Sequence, residues 1–177
     1  MIQTEWREPK LISFYDEVEE NKTPEILDIL MQGENVALVS DAGTPLISDP
    51  GFKLVRECLK NGIKVVPIPG PSSVVTALTV SGLSSNQFLF LGYLPPKSNK
   101  RKAILLELKN KCHAHDDLIN PTVILFESTH RLNGTLEDIK GIFSDIEIVI
   151  TRELTKIHEE VLRGRISTFN RKNVSFK

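Results

Sequence analysis

Apolar residues along this chain fall into runs of two kinds. Val36 to Val39 and Ile63 to Pro67 are β-branched blocks that break abruptly into polar, glycine-containing loops, the pattern of buried strands. They predict strands over 36–40 and 63–67. Thr23-Pro24 followed by EILDILMQG predicts a helix, with Thr23 as N-cap, Pro24 at the first helical position and Gly33 at the C-terminal cap. Asp49-Pro50-Gly51 opens a second helix with Phe52, Leu54, Val55 and Leu59 at its apolar positions, and Asn61-Gly62 ends it. A third helix is expected from Ser72 to Val80, followed by a break over 82–86.

The pattern then changes. Strands are expected at 87–93, 121–126, 146–151 and 160–166. Helices are expected at 100–109, with Ile104, Leu105 and Leu108 as the apolar stripe, and at 130–143. The regular strand–loop–helix alternation of the first half gives way to a mixed order. The expected architecture is α/β in two domains, 1–86 with a parallel-type sheet and 87–177 with a mixed sheet.

Composition narrows the field. Of 177 residues, 40% are hydrophobic and 25% charged, ordinary values for a globular protein. No apolar run reaches the ~20 residues of a membrane helix, so no membrane role is expected. Cys58 and Cys112 offer no disulfide framework, which fits a reducing cytoplasm. The net charge of -1 gives no global attraction to nucleic acid. Any such contact must come from a local patch.

The candidate chemistry gathers at strand ends. Small-residue loops after two strands are how open α/β sheets build ligand crevices. Asp41, in Ser40-Asp41-Ala42-Gly43-Thr44-Pro45, either accepts hydrogen bonds from a ligand or caps its turn. Ser72 and Ser73, in Pro69-Gly70-Pro71-Ser72-Ser73, either donate to a ligand carboxylate or act as plain caps. Phe126-Glu127-Ser128-Thr129-His130-Arg131 places an acid, an imidazole and a guanidinium directly after a buried strand. Either Glu127 or His130 serves as a general base and Arg131 binds a phosphate, or Ser128 or Thr129 caps the helix and the charges are solvated. Glu153, in Thr151-Arg152-Glu153-Leu154-Thr155-Lys156, lies in a fourth run at a strand end, which taken alone is a solvated surface loop. Lys97, Lys100, Arg101 and Lys102 form a basic cluster that either starts a solvated helix or contacts a phosphate backbone. Cys112-His113-Ala114-His115 lacks a second ligand pair at zinc-like spacing, and no metal is expected.

Five stretches in this order, SDAGTPLISDPG, VVPIPGPSSVVTALTVSGL, FLFLGYLPPK, FESTHRL and RELTKIHEE with LRG, resemble the bacterial small-subunit ribosomal RNA (cytidine-2′-O)-methyltransferases, a branch of the tetrapyrrole-methylase superfamily. The resemblance covers residues 11 to 166. It implies a two-domain fold with S-adenosylmethionine in the interdomain cleft, methyl transfer to a cytidine ribose of small-subunit RNA, and a homodimer. By motif position it implies that Ala42, Gly43, Thr44, Ile47, Ser72 and Ser73 line the cofactor, with Glu127 and Leu154 facing it from the second domain. For that transfer Glu127, Glu153 and His130 are the general-base candidates in no fixed order, and the basic residues Lys97, Lys100, Arg101, Lys102 and Arg131 are the candidate RNA contacts.

The family pattern opens with a strand, a Thr-Pro-Ile-Gly-Asn-Leu loop and a Glu-Asp-Thr-Arg motif, none of which is in this sequence. The expectation is therefore an N-terminally truncated member, with strand edges left open. A sister methylase acting on a tetrapyrrole-like small molecule and a non-catalytic remnant are the alternatives.

Overall fold

The computed structural model describes residues 8–113 and 120–169, with side chains over 8–111 and 120–169. The Cys112 to His115 stretch thus lies outside the described side chains. The chain divides into two compact units at Pro71–Ser72.

The first unit is built on α1 (Glu19–Met31) and α2 (Phe52–Lys60). Ile26, Leu54 and Cys58 form its core, covered by Ile12, Phe14, Leu27, Leu30 and Ile63. Cys58 is 5% exposed, and burial pushes its thiol up from the ordinary value, as for a packing group. α1 begins five residues before the expected Pro24, which lies inside the helix. Its first turn is fixed by the Tyr15 carbonyl, which accepts from the N–H groups of Val18 and Glu19. Thr23, expected as a cap, is buried in mid-helix and donates to the Glu19 carbonyl at 2.7 Å. Beyond that turn Pro24 cannot donate to the carbonyl four residues back. In α2 only Leu54 and Cys58 are buried, while Phe52 and Leu59 lie outward at 64% and 63% exposure.

Gly51 joins the loop to α2 at φ 129°, and a Cβ there would lie 2.6 Å from Leu38 Cδ2 and 2.8 Å from Leu46 Cδ1. The buried Glu19 carboxylate crosses from α1 to accept the N–H of Gly51 at 3.0 Å and of Lys53 at 2.9 Å. A carboxylate from one helix therefore caps the next, with its negative charge at the positive helix end.

The strands expected at 36–40 and 63–67 are not formed. Both segments lack ladder partners among the described residues. Val36, Val39, Val65, Val66 and Ile68 are exposed. β propensity needs a paired and covered surface to act on, and the described residues of the first unit supply none.

The second unit contains α3 (Ser73–Ser81), β1 (Phe88–Tyr93), α4 (Ser98–His113), β2 (Thr122–Phe126), α5 (Thr129–Phe143), β3 (Glu147–Arg152) and β4 (Glu160–Arg165). β1 and β2 pair in parallel, and β3 and β4 form an antiparallel hairpin. These are the parallel and mixed α/β elements the sequence predicts, but the parallel pair stands in the second unit. α3 belongs to this unit because Arg163 of β4 donates to the carbonyls of Ser81 and Val80 at its C-terminal end. α4 packs on α5. Its buried stripe is Arg101 and Leu105, with Leu108 half-buried and Ile104 exposed. An arginine takes the place of an expected apolar residue.

Candidate functional site

In the first unit, the loop after the 36–40 run is a tight series of turns. Gly43, Leu46 and Ser48 have φ of 76°, 71° and 62°, conformations that cost a side-chain-bearing residue strain. Ser40 Oγ donates to the Gly43 carbonyl at 3.1 Å, and Thr44 Oγ1 reaches across to donate to the Pro71 carbonyl at 2.9 Å. Two distant segments, SDAGTP and IPGP, are thereby held together. Ala42 and Gly43 are exposed, Ile47 is 45% exposed, and a Cβ on Gly43 would meet nothing within 4 Å. The loop backbone is open to a ligand.

Ser72 and Ser73 open the second unit. Ser72 is the N-cap of α3 by backbone conformation, yet its hydroxyl makes no cap hydrogen bond. The hydroxyl and the first N–H groups of α3 are left as donors, the arrangement that receives carboxylates and phosphates.

At the C-terminal end of β2 the Glu127 side chain is 8% exposed. Its Oε1 accepts from the Ser128 N–H at 2.8 Å, and its Oε2 accepts from Thr135 Oγ1 at 2.5 Å. Arg131 Nε lies 3.2 Å from Glu127 Oε1, an ion pair by distance without directed hydrogen-bond geometry. The same guanidinium donates through Nη2 to the Leu94 carbonyl at 2.6 Å. Arg131, beside Glu127, thus reaches the segment after β1.

Arg101 does the same from α4. It is 5% exposed, and it donates to the Pro96 carbonyl at 3.2 Å and the Pro95 carbonyl at 3.4 Å. Its Nε donates to Asp138 Oδ2 at 2.7 Å, and Nη2 lies 2.5 Å from the same oxygen. Ser98 Oγ donates to both Asp138 oxygens, at 3.0 and 2.9 Å. Two arginines, each anchored on a buried acid, grip the consecutive carbonyls of Leu94, Pro95 and Pro96. Both were expected from sequence as RNA contacts. Burial and these partners withdraw Arg101, because a guanidinium already bound on two sides has no free fork for phosphate, while Arg131 is half-buried with Nη2 engaged on the Leu94 carbonyl. The basic surface that remains is Lys97, Lys100 and Lys102, all exposed, with Lys102 Nζ 3.4 Å from Asp138 Oδ1.

His130 is exposed, its Nε2 3.4 Å from Ser128 Oγ. Glu153 and Leu154 belong to the β3–β4 loop. Glu153 and Thr155 have φ of 47° and 65°. Lys156 Nζ lies 3.3 Å from Glu153 Oε1, and Glu159 Oε2 accepts the Thr155 N–H at 2.6 Å. Leu154 is half-buried.

Sequence reasoning missed Thr135 and Asp138. They stand four and seven residues after Arg131, on one face of α5, so a buried polar stripe was legible in that spacing. Among the described residues no group of three His, Cys, Asp or Glu could hold a metal ion.

Residues 5–170 match the family described as tetrapyrrole (corrin/porphyrin) methylases. The chain is 44% identical over 157 residues to a Thermotoga maritima protein named ribosomal RNA small subunit methyltransferase I, covering 89% of this chain and 67% of that one. Proteins of the same name from Xylella fastidiosa and Haemophilus influenzae are each 46% identical, over 91% and 87% of this chain and 56% and 52% of their own. The chain spans between about half and two thirds of the length of these relatives.

Proposed function

This chain belongs to the tetrapyrrole (corrin/porphyrin) methylase family, and from that premise we propose that it serves S-adenosylmethionine-dependent 2′-O-methylation of a cytidine ribose in small-subunit ribosomal RNA. The observation that carries this reading is the 44–46% identity, across about nine tenths of the chain, to proteins named for methylating that RNA.

The residues present fit the cofactor's polar end. Uncapped N–H groups at the start of α3, with the free Ser72 hydroxyl, suit an amino-acid carboxylate. The open backbone of Ala42 to Thr44, beside Ile47, suits close approach to its methionine portion. When bound, the cofactor supplies an electrophilic methyl on a sulfonium.

The chain's own residues have two tasks. One is to hold the ribose hydroxyl in line with that methyl, since orientation alone contributes up to ~7–11 kcal/mol. The other is to accept the hydroxyl proton, contributing ~10²–10⁴-fold. Of the three base candidates, His130 and Glu153 are exposed to solvent, Glu153 with Lys156 Nζ at 3.3 Å. Glu127 is enclosed by Ser128, Thr135 and Arg131 and is assigned to positioning. The strained Glu153 backbone, at φ 47°, is the kind of outlier that clusters at functional sites. Lys97, Lys100 and Lys102 supply the electrostatic contact to RNA. A homodimer is part of the proposal, because two exposed β-branched segments without ladder partners among the described residues are open to another chain.

Isothermal titration with S-adenosylmethionine and transfer of a labelled methyl group to small-subunit particles test this reading. Binding abolished by Ser72→Ala with Gly43→Val, and transfer lost in Glu153→Gln or His130→Ala, are the expected results. Cofactor binding without transfer would favour a non-catalytic remnant, and transfer to a tetrapyrrole instead of RNA would favour the sister activity.

A further inference from the structure

Tyr93 ends β1 with its side chain in solvent, the residue being 60% exposed. In a regular strand Phe90 and Tyr93, three apart, would point to opposite faces. Here the register with β2 slips between them, and Gly92 takes φ 62°, so an extra residue re-aims the strand end. Both rings consequently meet Phe126. The Phe90 and Phe126 centroids are 4.9 Å apart edge-to-face, and those of Tyr93 and Phe126 are 5.5 Å apart at 59°. Tyr93 is propped from within by one aromatic ring and presents the rest of its own ring outward.

The segment after Tyr93 is held rigidly. The Leu94, Pro95 and Pro96 carbonyls are gripped by Arg131 and Arg101, and Leu94 is 3% exposed. Lys97 is next, then Lys100 and Lys102, all exposed. Four residues of chain span at most about 14 Å. A fixed aromatic face thus lies within reach of a lysine cluster whose orientation to it is set by the buried Arg101 and the half-buried Arg131. Exposed aromatic surface beside cationic side chains is the surface that receives an unpaired nucleic acid strand, with a base on the ring and phosphates on the lysines.

We infer that Tyr93 is a stacking platform for one unpaired RNA base, and that Lys97, Lys100 and Lys102 take the adjoining phosphates. Arg101 and Arg131 are positioning residues that keep ring and lysines in register. The inference rests on the proposed RNA substrate and deepens that proposal by naming the contact. An apolar protein partner over Tyr93 would not need the adjoining lysines.

The test is fluorescence anisotropy with the full chain, using a labelled, non-pairing oligoribonucleotide and an abasic ribose-phosphate chain of equal length. Tyr93→Ala should weaken oligoribonucleotide binding about 5- to 150-fold, and Tyr93→Phe should stay within about 2-fold of the parent. On the abasic chain all three should bind equally. Replacing the three lysines by Gln should weaken both ligands and flatten the salt dependence. Equal affinity of Tyr93→Ala and parent for the oligoribonucleotide would overturn the stacking inference and leave the RNA substrate intact, as would a Tyr93→Ala loss of the same size on the abasic chain. No binding by the parent to either ligand would overturn both.

Discussion

Arg101 and Asp138 form a buried ion pair in which one carboxylate oxygen receives both Nε, at 2.7 Å, and Nη2, at 2.5 Å, with side chains 6% and 8% exposed. The pair joins α4 to α5, and through the Pro95 and Pro96 carbonyls it also fixes the segment after β1. Arg101→Met alone, or Asp138→Ala alone, leaves an uncompensated buried charge and should cost about 3–5 kcal/mol of unfolding free energy. The double replacement Arg101→Met with Asp138→Leu should recover most of that loss. Urea unfolding of the three variants measures this, and strictly additive losses would contradict the pairing.

The same carboxylate makes stability depend on acid. Burial pushes the Asp138 carboxyl up, but hydrogen bonds from Ser98, Arg101 and Lys102 together outweigh it and hold it below its ordinary value. A folded value below the unfolded one, ~3.9, means the contribution is complete above about pH 4. It is lost as pH falls through the folded value. The parent should therefore lose stability more steeply below pH 4 than Asp138→Asn does. Parallel stability curves in urea titrations at stepped pH would refute it.

Gly51 cannot be replaced cheaply. An alanine Cβ would meet Leu38 and Leu46 at 2.6 and 2.8 Å, on a backbone at φ 129°. Strain and overpacking together should cost about 2–5 kcal/mol, seen as a lower midpoint in chemical denaturation. Glu19→Ala, which uncaps the N–H groups of Gly51 and Lys53, should cost about 1–3 kcal/mol. Glu19→Gln should show only part of that loss because its carbonyl oxygen still accepts.

Val39 and Val66 are 81% and 59% exposed on segments without ladder partners among the described residues. Unpaired β-branched segments of this kind invite pairing with another chain. Val39→Lys with Val66→Lys should reduce self-association in sedimentation velocity while changing unfolding free energy by no more than about 0.5 kcal/mol. Unchanged self-association would place the contact elsewhere.

Much of the second unit was legible in the sequence. Apolar runs between turn residues located β1, β2, β3 and β4 to within a residue or two, because each has a partner and the local pattern agrees with the tertiary surroundings. α5 and α3 were equally clear, α3 closing at Gly82 with φ 80°. The runs at 36–40 and 63–67 carry as strong a strand signal, yet they form no ladder. Pairing is a property of two segments, and one segment's composition cannot supply the other.

The polar residues divide in the same way. Sequence spacing brought the acid, imidazole and guanidinium of Glu127, His130 and Arg131 to the end of β2, since strand ends and helix starts are local features. It could not tell which charges face solvent. Arg101 and the lysines beside it look alike along the chain, and only the packing of α4 on α5, with Asp138 opposite, buries the one and leaves the others exposed. Glu19, unremarkable in a charged stretch, becomes the cap of a helix 32 residues away because α1 packs on α2. Local pattern determined where elements and reactive side chains lie along the chain. Tertiary contact decided which charges are neutralised inside and which remain for a ligand, because desolvation and pairing depend on neighbours distant in sequence.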